Sequence, residues 1–167
     1  MFTPDLIERA AALIALYRER GKKIATAESC TGGLVAGLLT EIPGASAVVE
    51  RGFVVYSNEA KQELLDVPAS TLKAFGAVSR ETARAMAQGA IAHSHADFAI
   101  AITGVAGPDG GTPEKPVGLV HFACAGADGS VVALERRYGA LDRAAIRLAS
   151  VGTALHMLKE AVSRGGC

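Results

Sequence analysis

Residues 26–33 read T-A-E-S-C-T-G-G and put a serine, a cysteine, two threonines and a carboxylate beside two glycines. A strand-like run over 23–26 enters the stretch, and a helical run over 34–39 leaves it. A strand-to-helix turn exposes backbone N–H groups at the positive end of a helix, which draws anions. Gly32 and Gly33 let a ligand come close to the backbone. An alkoxide on Ser29, or a tetrahedral oxyanion formed from it, would be stabilised there. Cys30 is a rival nucleophile, because a helix N-terminus lowers a thiol pKa. No histidine lies close in sequence to activate either. The same residues also fit a plain helix cap by Ser29 or Thr31, and the stretch alone leaves both readings open.

Three other stretches carry groups of the right kind. Residues 52–61 read G-F-V-V-Y-S-N-E-A-K, so Tyr56 ends a strand and Lys61 falls in the first turn of the next helix. A cation there opposes the helix dipole. In a pocket its pKa would fall and it would serve as a general base; in the open it is a solvated side chain. Residues 102–118 form a Gly/Pro-rich loop off a central strand, and loops of that length are uncommon unless functional or disordered. Gly104 and Gly107 would allow close approach of a ligand, at the strand end where α/β sheets bind them. No G-K-[ST] follows, so this is not a Walker A loop. Asp142 and Arg143 open the last helix, the first as a cap and the second as a donor to an anionic group.

The elements that must position these groups follow from periodicity and punctuation. Helices are expected over 3–21, 31–41, 58–65, 71–75, 79–93 and 142–163, and strands over 23–27, 48–56, 97–103, 117–125 and 130–138. Pro43-Gly44 breaks the second helix. Residues 97–103 are nearly all apolar, as in a strand buried on both faces. The alternation of helices and strands, ending in an antiparallel pair and a helix, gives a single three-layer α/β/α domain over 1–167, with a mixed, mainly parallel sheet.

Composition narrows the function. The chain has 167 residues, 50% hydrophobic and 20% charged, and its formal net charge is zero. That argues against nucleic-acid binding, which usually needs a basic surplus. No apolar run approaches the roughly 20 residues of a membrane span, and the first five residues carry no basic signal-peptide region. A cytoplasmic protein with no membrane partner is expected. Cys30, Cys124 and Cys167 are odd in number and far apart, which gives neither a disulfide framework nor a zinc site. His93 and His95 read as a polar helix end rather than metal ligands, with no acidic or cysteine partner nearby in sequence. Val48 and Val49 read as an apolar stretch near the proposed site and point to a homo-oligomer, expected to be a dimer.

Taken together, T-A-E-S-C-T-G-G, G-F-V-V-Y-S-N-E-A-K, G-A-V-S at 76–79, I-T-G-V-A-G-P-D-G-G at 102–111, K-P-V-G-L-V at 115–120 and D-R-x-x-I-R at 142–147 resemble the C-terminal domain of the CinA (competence/damage-inducible) family. The resemblance runs in the family's order from Leu6 to Leu158. It does not reach the molybdopterin-biosynthesis-like N-terminal domain of longer members. Stand-alone members are nicotinamide-nucleotide amidohydrolases of the PncC type. The resemblance therefore implies hydrolysis of nicotinamide mononucleotide to nicotinate mononucleotide and ammonia, by a serine–lysine mechanism without metal or cofactor. It implies Ser29 as nucleophile, Lys61 as base and Tyr56 in support. It further implies Thr31, Gly32, Gly33, Thr103 and Gly104 around the oxyanion, with Ser46 and Arg143 on the substrate. Two departures stand out. Gly44-Ala45-Ser46 replaces the usual G-S-S. The segment before Arg143 is one residue longer, with Leu141 where glycine is usual. The alternative implied by the family's name is a non-catalytic nucleotide-binding or competence-related regulatory module; retention of both Ser29 and Lys61 favours catalysis.

Overall fold

Alternation along the central strand divides the molecule. In β1 (Ile24–Glu28), Ile24, Thr26 and Glu28 face one side, and Ala25 and Ala27 face the other. In β3 (Phe98–Gly104), Ile100 and Ile102 oppose Ala99 and Ala101. In β4 (Leu119–Gly126), Phe122 and Cys124 oppose Ala123 and Ala125. One face of the sheet is thus bulky and the other is paved with alanine. The computed structural model describes residues 2–139 and 141–164; Ala140, in the lengthened segment before Arg143, and Cys167 lie outside them.

The bulky face is covered by α1 (Pro4–Glu19), α2 (Leu34–Thr40) and α6 (Arg143–Arg164). Tyr17 is fully buried there and donates to the Leu158 carbonyl at 2.8 Å, tying α1 to α6. The alanine face lies under α5 (Arg80–Ala92), flanked by α3 (Asn58–Leu65) and α4 (Ala69–Phe75). Ala83, Ala87 and Ala90 let α5 sit close to the sheet. A Cβ on Gly89 would collide with the Leu65 carbonyl, so α3 and α5 meet backbone to backbone.

The five strands run in the order β2-β1-β3-β4-β5, with β2 (Val49–Val54) and β5 (Val131–Arg137) at the edges. β1 pairs in parallel with β2 and β3; β4 is antiparallel to β3 and to β5. Four strands therefore share one direction, as a mixed, mainly parallel sheet requires. From β1 the chain turns outward to β2 and then crosses to β3 on the other side. That reversal opens a crevice beyond the carboxyl ends of β1 and β3.

Several helix starts fall where the sequence placed them. Thr3, Ser57 and Ser79 accept from Leu6, Ala60 and Thr82 N–H groups, capping α1, α3 and α5. Several boundaries differ, that of β4 among them, which begins at Leu119 rather than residue 117. α2 begins at Leu34 rather than residue 31, α4 begins at Ala69 rather than 71, and β2 stops at Val54 rather than 56. Val48, read as part of an exposed apolar stretch, is fully buried in the bulky core, and Val49 is half-buried. The pair gives no apolar patch for a partner. No helix among the described residues is long and apolar enough to cross a membrane.

Candidate active site

Ser29 is the first residue beyond β1, and its N–H donates to the Ile102 carbonyl at 3.0 Å, continuing the ladder to β3. By alternation it follows Ala25 and Ala27 onto the alanine face. Thr103 follows Ala99 and Ala101 onto the same face of the neighbouring strand. The two hydroxyl residues thus stand side by side at the crevice. Beyond Ser29 the chain turns through Gly32 (φ +60°) and Gly33 (φ +95°), left-handed conformations that favour glycine.

The cap of α2 corrects the reading of the opening stretch. Neither Ser29 nor Thr31 caps the helix. The fully buried carboxylate of Glu28 does so, accepting from Gly33 N–H (3.1 Å), Val35 N–H (3.0 Å) and Ala36 N–H (2.9 Å). The positive helix end is already satisfied by an internal anion, so Gly33 N–H is not available to an oxyanion. Gly32 N–H is taken by the Ser29 carbonyl at 3.0 Å. The N–H groups of Cys30 and Thr31 donate to no other residue among those described. These two N–H groups are unspent in the turn that follows Ser29.

Lys61 reaches the same point from the other side of the crevice. Helical side chains lean toward the N-terminus of their helix. The Lys61 ammonium group therefore folds back over the start of α3, where Nζ lies 2.9, 3.1 and 3.4 Å from the carbonyls of Val55, Tyr56 and Ser57. It lies 3.1 Å from Ser29 Oγ. The residue is only 1% exposed, which rules out a solvated surface side chain. Burial holds its pKa below the usual lysine range; the nearby Cys30 and Glu59 oppose this. A neutral amine has two N–H donors and one lone pair. In the structure Nζ donates to these carbonyls and to Ser29 Oγ; once neutral, with its two N–H groups on Val55 and Tyr56, it would turn a lone pair to the Ser29 hydroxyl.

Cys30 is poorly placed to act as a thiolate nucleophile. It is buried away from solvent, and desolvation pushes its pKa up to about 11, so the thiol stays protonated and inert. Iodoacetamide at pH 8 is expected to leave Cys30 of the folded protein unmodified, as read by mass spectrometry of the digested protein. Rapid alkylation of Cys30 would restore it as a candidate.

The other expected site residues divide. Thr103 is adjacent to Ser29, but its hydroxyl donates to the Ala77 carbonyl at 2.7 Å and so ties the 76–79 turn to the sheet. Gly104 serves packing: a Cβ there would stand 2.7 Å from the Val120 side chain and 2.8 Å from the Leu119 carbonyl. Its small size lets β4 approach and does not open room for a ligand. Arg143 is exposed, donates to the Gly107 carbonyl at 2.7 Å, and reaches the Tyr56 hydroxyl at 3.5 Å. Asp142 accepts from Ala145 N–H at the start of α6. Tyr56 and Arg143 therefore meet; exposed Val54 lies against Gly33 of the Ser29 turn, and Leu141, two residues before Arg143, is exposed. Ser46 does not join them. It is exposed in a short 3₁₀ turn (Ala45–Ala47) before β2. Because β1 and β2 are parallel, it lies at the opposite end of the sheet from Ser29, roughly 15 Å away along the strands.

His93 pairs with Asp66 at 2.6 Å on the surface. Among the described residues no group of three or more His, Cys, Asp or Glu is placed to hold a metal. Two groups escaped the sequence reading. Glu28 was visible as a carboxylate in the opening stretch, but nothing local shows that it folds back onto the helix. Arg147 lies four residues after Arg143 on α6, and that spacing was the one signal that both reach the same region. Its guanidinium donates from Nε to the Cys30 carbonyl (3.1 Å) and from Nη2 to the Thr31 carbonyl (3.0 Å).

Known proteins place this chain in a family. The model of the CinA C-terminal domain matches residues 7–162. A CinA-like protein of Anaeromyxobacter sp. (strain Fw109-5) is 50% identical over 155 residues, which is 93% of this chain and 37% of that protein. A CinA-like protein of Mycolicibacterium gilvum is 49% identical over 159 residues, 95% of this chain and 36% of that protein. The chain spans little more than a third of the length of these curated relatives. Among solved structures, the competence/damage inducible protein CihA from Agrobacterium tumefaciens superposes with a TM-score of 0.95 at 55% identity, covering 98% of both chains. A CinA superfamily protein from Escherichia coli gives a TM-score of 0.89 at 31% identity, over 96% of this chain and 94% of that one. The chain belongs to the CinA C-terminal domain family.

Proposed function

We propose that the chain is a nicotinamide mononucleotide deamidase, converting this nucleotide and water to nicotinate mononucleotide and ammonia. The observation that carries the reading is the buried Lys61 Nζ, 3.1 Å from Ser29 Oγ, with its pKa lowered by burial. A serine beside a neutral amine is an activated nucleophile. The choice of substrate is supported by the resemblance of the motifs to the stand-alone members of the CinA family.

Ser29 Oγ attacks the carboxamide carbon while its proton passes to Lys61 Nζ. The carbonyl oxygen becomes an oxyanion, held by the N–H groups of Cys30 and Thr31. The tetrahedral intermediate collapses, Lys61 returns the proton to the amide nitrogen, the C–N bond breaks and ammonia leaves. A water molecule then attacks the Ser29 ester, Lys61 takes its proton and passes it to the departing Ser29 oxygen. At the mouth, Arg143 has donors left for the nucleotide phosphate, and Tyr56, Val54 and Leu141 offer an apolar surface for the pyridine ring.

The test is ammonia release from nicotinamide mononucleotide, nicotinamide riboside and nicotinamide, without added metal. Turnover is expected to fall in that order, as phosphate and ribose contacts are lost. Saturable binding of the nucleotide with no ammonia would show a regulatory binding module instead.

The pH dependence follows from Lys61. The base is the neutral amine, so kcat is expected to rise with pH and level off above the folded-state pKa, which lies below the roughly 10.4 of a free lysine. A rate that is flat with pH, or falls as the amine is deprotonated, would contradict the role. Stability has the same sign. Between the folded pKa and about 10.4, the unfolded lysine holds a proton that the folded one lacks, so stability rises with pH across that window.

A further inference from the structure

The turn that carries Ser29 is gripped from both sides. Glu28 holds its far end through the first N–H groups of α2. Arg147, reaching in from α6, holds its middle through the carbonyls of Cys30 and Thr31. Gly32 lies against the guanidinium, and a Cβ there would stand 3.5 Å from Nη2. Thr31 itself is fully buried, and its hydroxyl finds no partner. Its N–H also donates to no other residue among those described. Thr31 thus keeps two donors without a protein acceptor, one of them on the peptide that Arg147 holds.

We infer that Arg147 is a positioning residue that aims the Thr31 N–H at the developing oxyanion. In a trans peptide the C=O and the following N–H point in opposite directions. Drawing the Cys30 carbonyl onto Arg147 Nε therefore turns the Thr31 N–H away from α6. The bond from Nη2 to the Thr31 carbonyl fixes the next peptide plane, so the turn cannot rotate its donor out of line. A charge-assisted bond to the Cys30 carbonyl polarises that peptide and makes its N–H a stronger donor. Arg147 touches no reacting atom and acts through the backbone it holds.

This inference rests on the serine–lysine reading, so its test carries a readout that needs no nucleotide. A fluorophosphonate reacts with an activated serine: the oxygen–phosphorus bond forms, fluoride leaves, and the hydroxyl proton passes to the base. For Arg147→Ala, kcat is expected to fall about a hundredfold, the loss typical of one oxyanion donor. KM is expected to stay within about threefold, since the lost interaction belongs to the transition state. Labelling of Ser29 is expected to slow in parallel. Millimolar guanidinium is expected to restore much of both rates in Arg147→Ala and none in Lys61→Met. Arg147→Lys, which keeps the charge and part of the bonding, is expected to fall between and serves where the alanine variant does not fold. A rise in KM with kcat unchanged, or a loss that only tracks the folded fraction seen in thermal melts, overturns the inference. A wild type that is labelled but makes no ammonia sinks the substrate assignment, and the labelling ratio then decides the role of Arg147. A wild-type Ser29 that is neither labelled nor active overturns both.

Discussion

Lys61→Met is expected to lower ammonia release from nicotinamide mononucleotide by roughly a thousandfold, the range for removing a general base. The chain is expected to remain folded. Methionine has nearly the length of lysine and fills the same buried space. The Val55 carbonyl loses its donor, at a cost of about 1–3 kcal/mol, but a buried amine is removed with it. Lys61→Arg separates the two things a cation can do here. Arginine keeps a positive charge near the three carbonyls but does not give up its proton in proteins. If Lys61 serves only to attract an anion, the arginine variant stays active. If it takes the Ser29 proton, both variants are inactive, and kcat measured at saturating substrate distinguishes these outcomes.

Glu28→Ala is expected to give the largest loss of stability among substitutions near the site, about 3 kcal/mol or more. Three backbone N–H groups at the start of α2 lose their acceptor together, at about 1–3 kcal/mol for each that is left buried. In a domain of this size 1 kcal/mol moves Tm by roughly 2–4 °C, so calorimetry should show a fall of about 6–12 °C. Glu28→Gln keeps the shape and one acceptor, but its amide nitrogen must face one of the three donors; an intermediate loss is expected. An unchanged Tm in the alanine variant would mean that water or a shifted turn caps α2, and Glu28 would then be no more than a buried acid.

These residues also mark what the sequence made legible. The strand-like run over 23–26 put Ser29 just beyond a strand end, and the nearly all-apolar run over 97–103 marked the buried strand. Ser57, Asn58 and the following residues located a helix start, which set Lys61 in the first turn. The reach of its side chain back to Ser29 depends on where α3 lies against β1, and no local pattern encodes that. Glu28 was passed over for the same reason. Ser29 and Thr31 were cap candidates by local position, whereas the actual cap folds back from the preceding strand. Gly104 looked like a ligand contact because β4, which crowds it, is about 15 residues further on. Ser46 shows the limit of carrying a site over by motif: its place in the chain is near Tyr56, but a parallel strand separates the two by its whole length. Arg147 lay inside a recognised motif, yet its acceptors are backbone carbonyls and leave no residue-type signature.

The central claim is that Ser29 makes the covalent bond. The most direct measurement is ammonia release from nicotinamide mononucleotide by wild type and Ser29→Ala, side by side at the plateau of the pH profile. The account predicts turnover by the wild type and a loss of at least about a thousandfold in the variant, with nucleotide binding retained. Turnover that survives Ser29→Ala would contradict it and leave T-A-E-S-C-T-G-G as a turn with no covalent role.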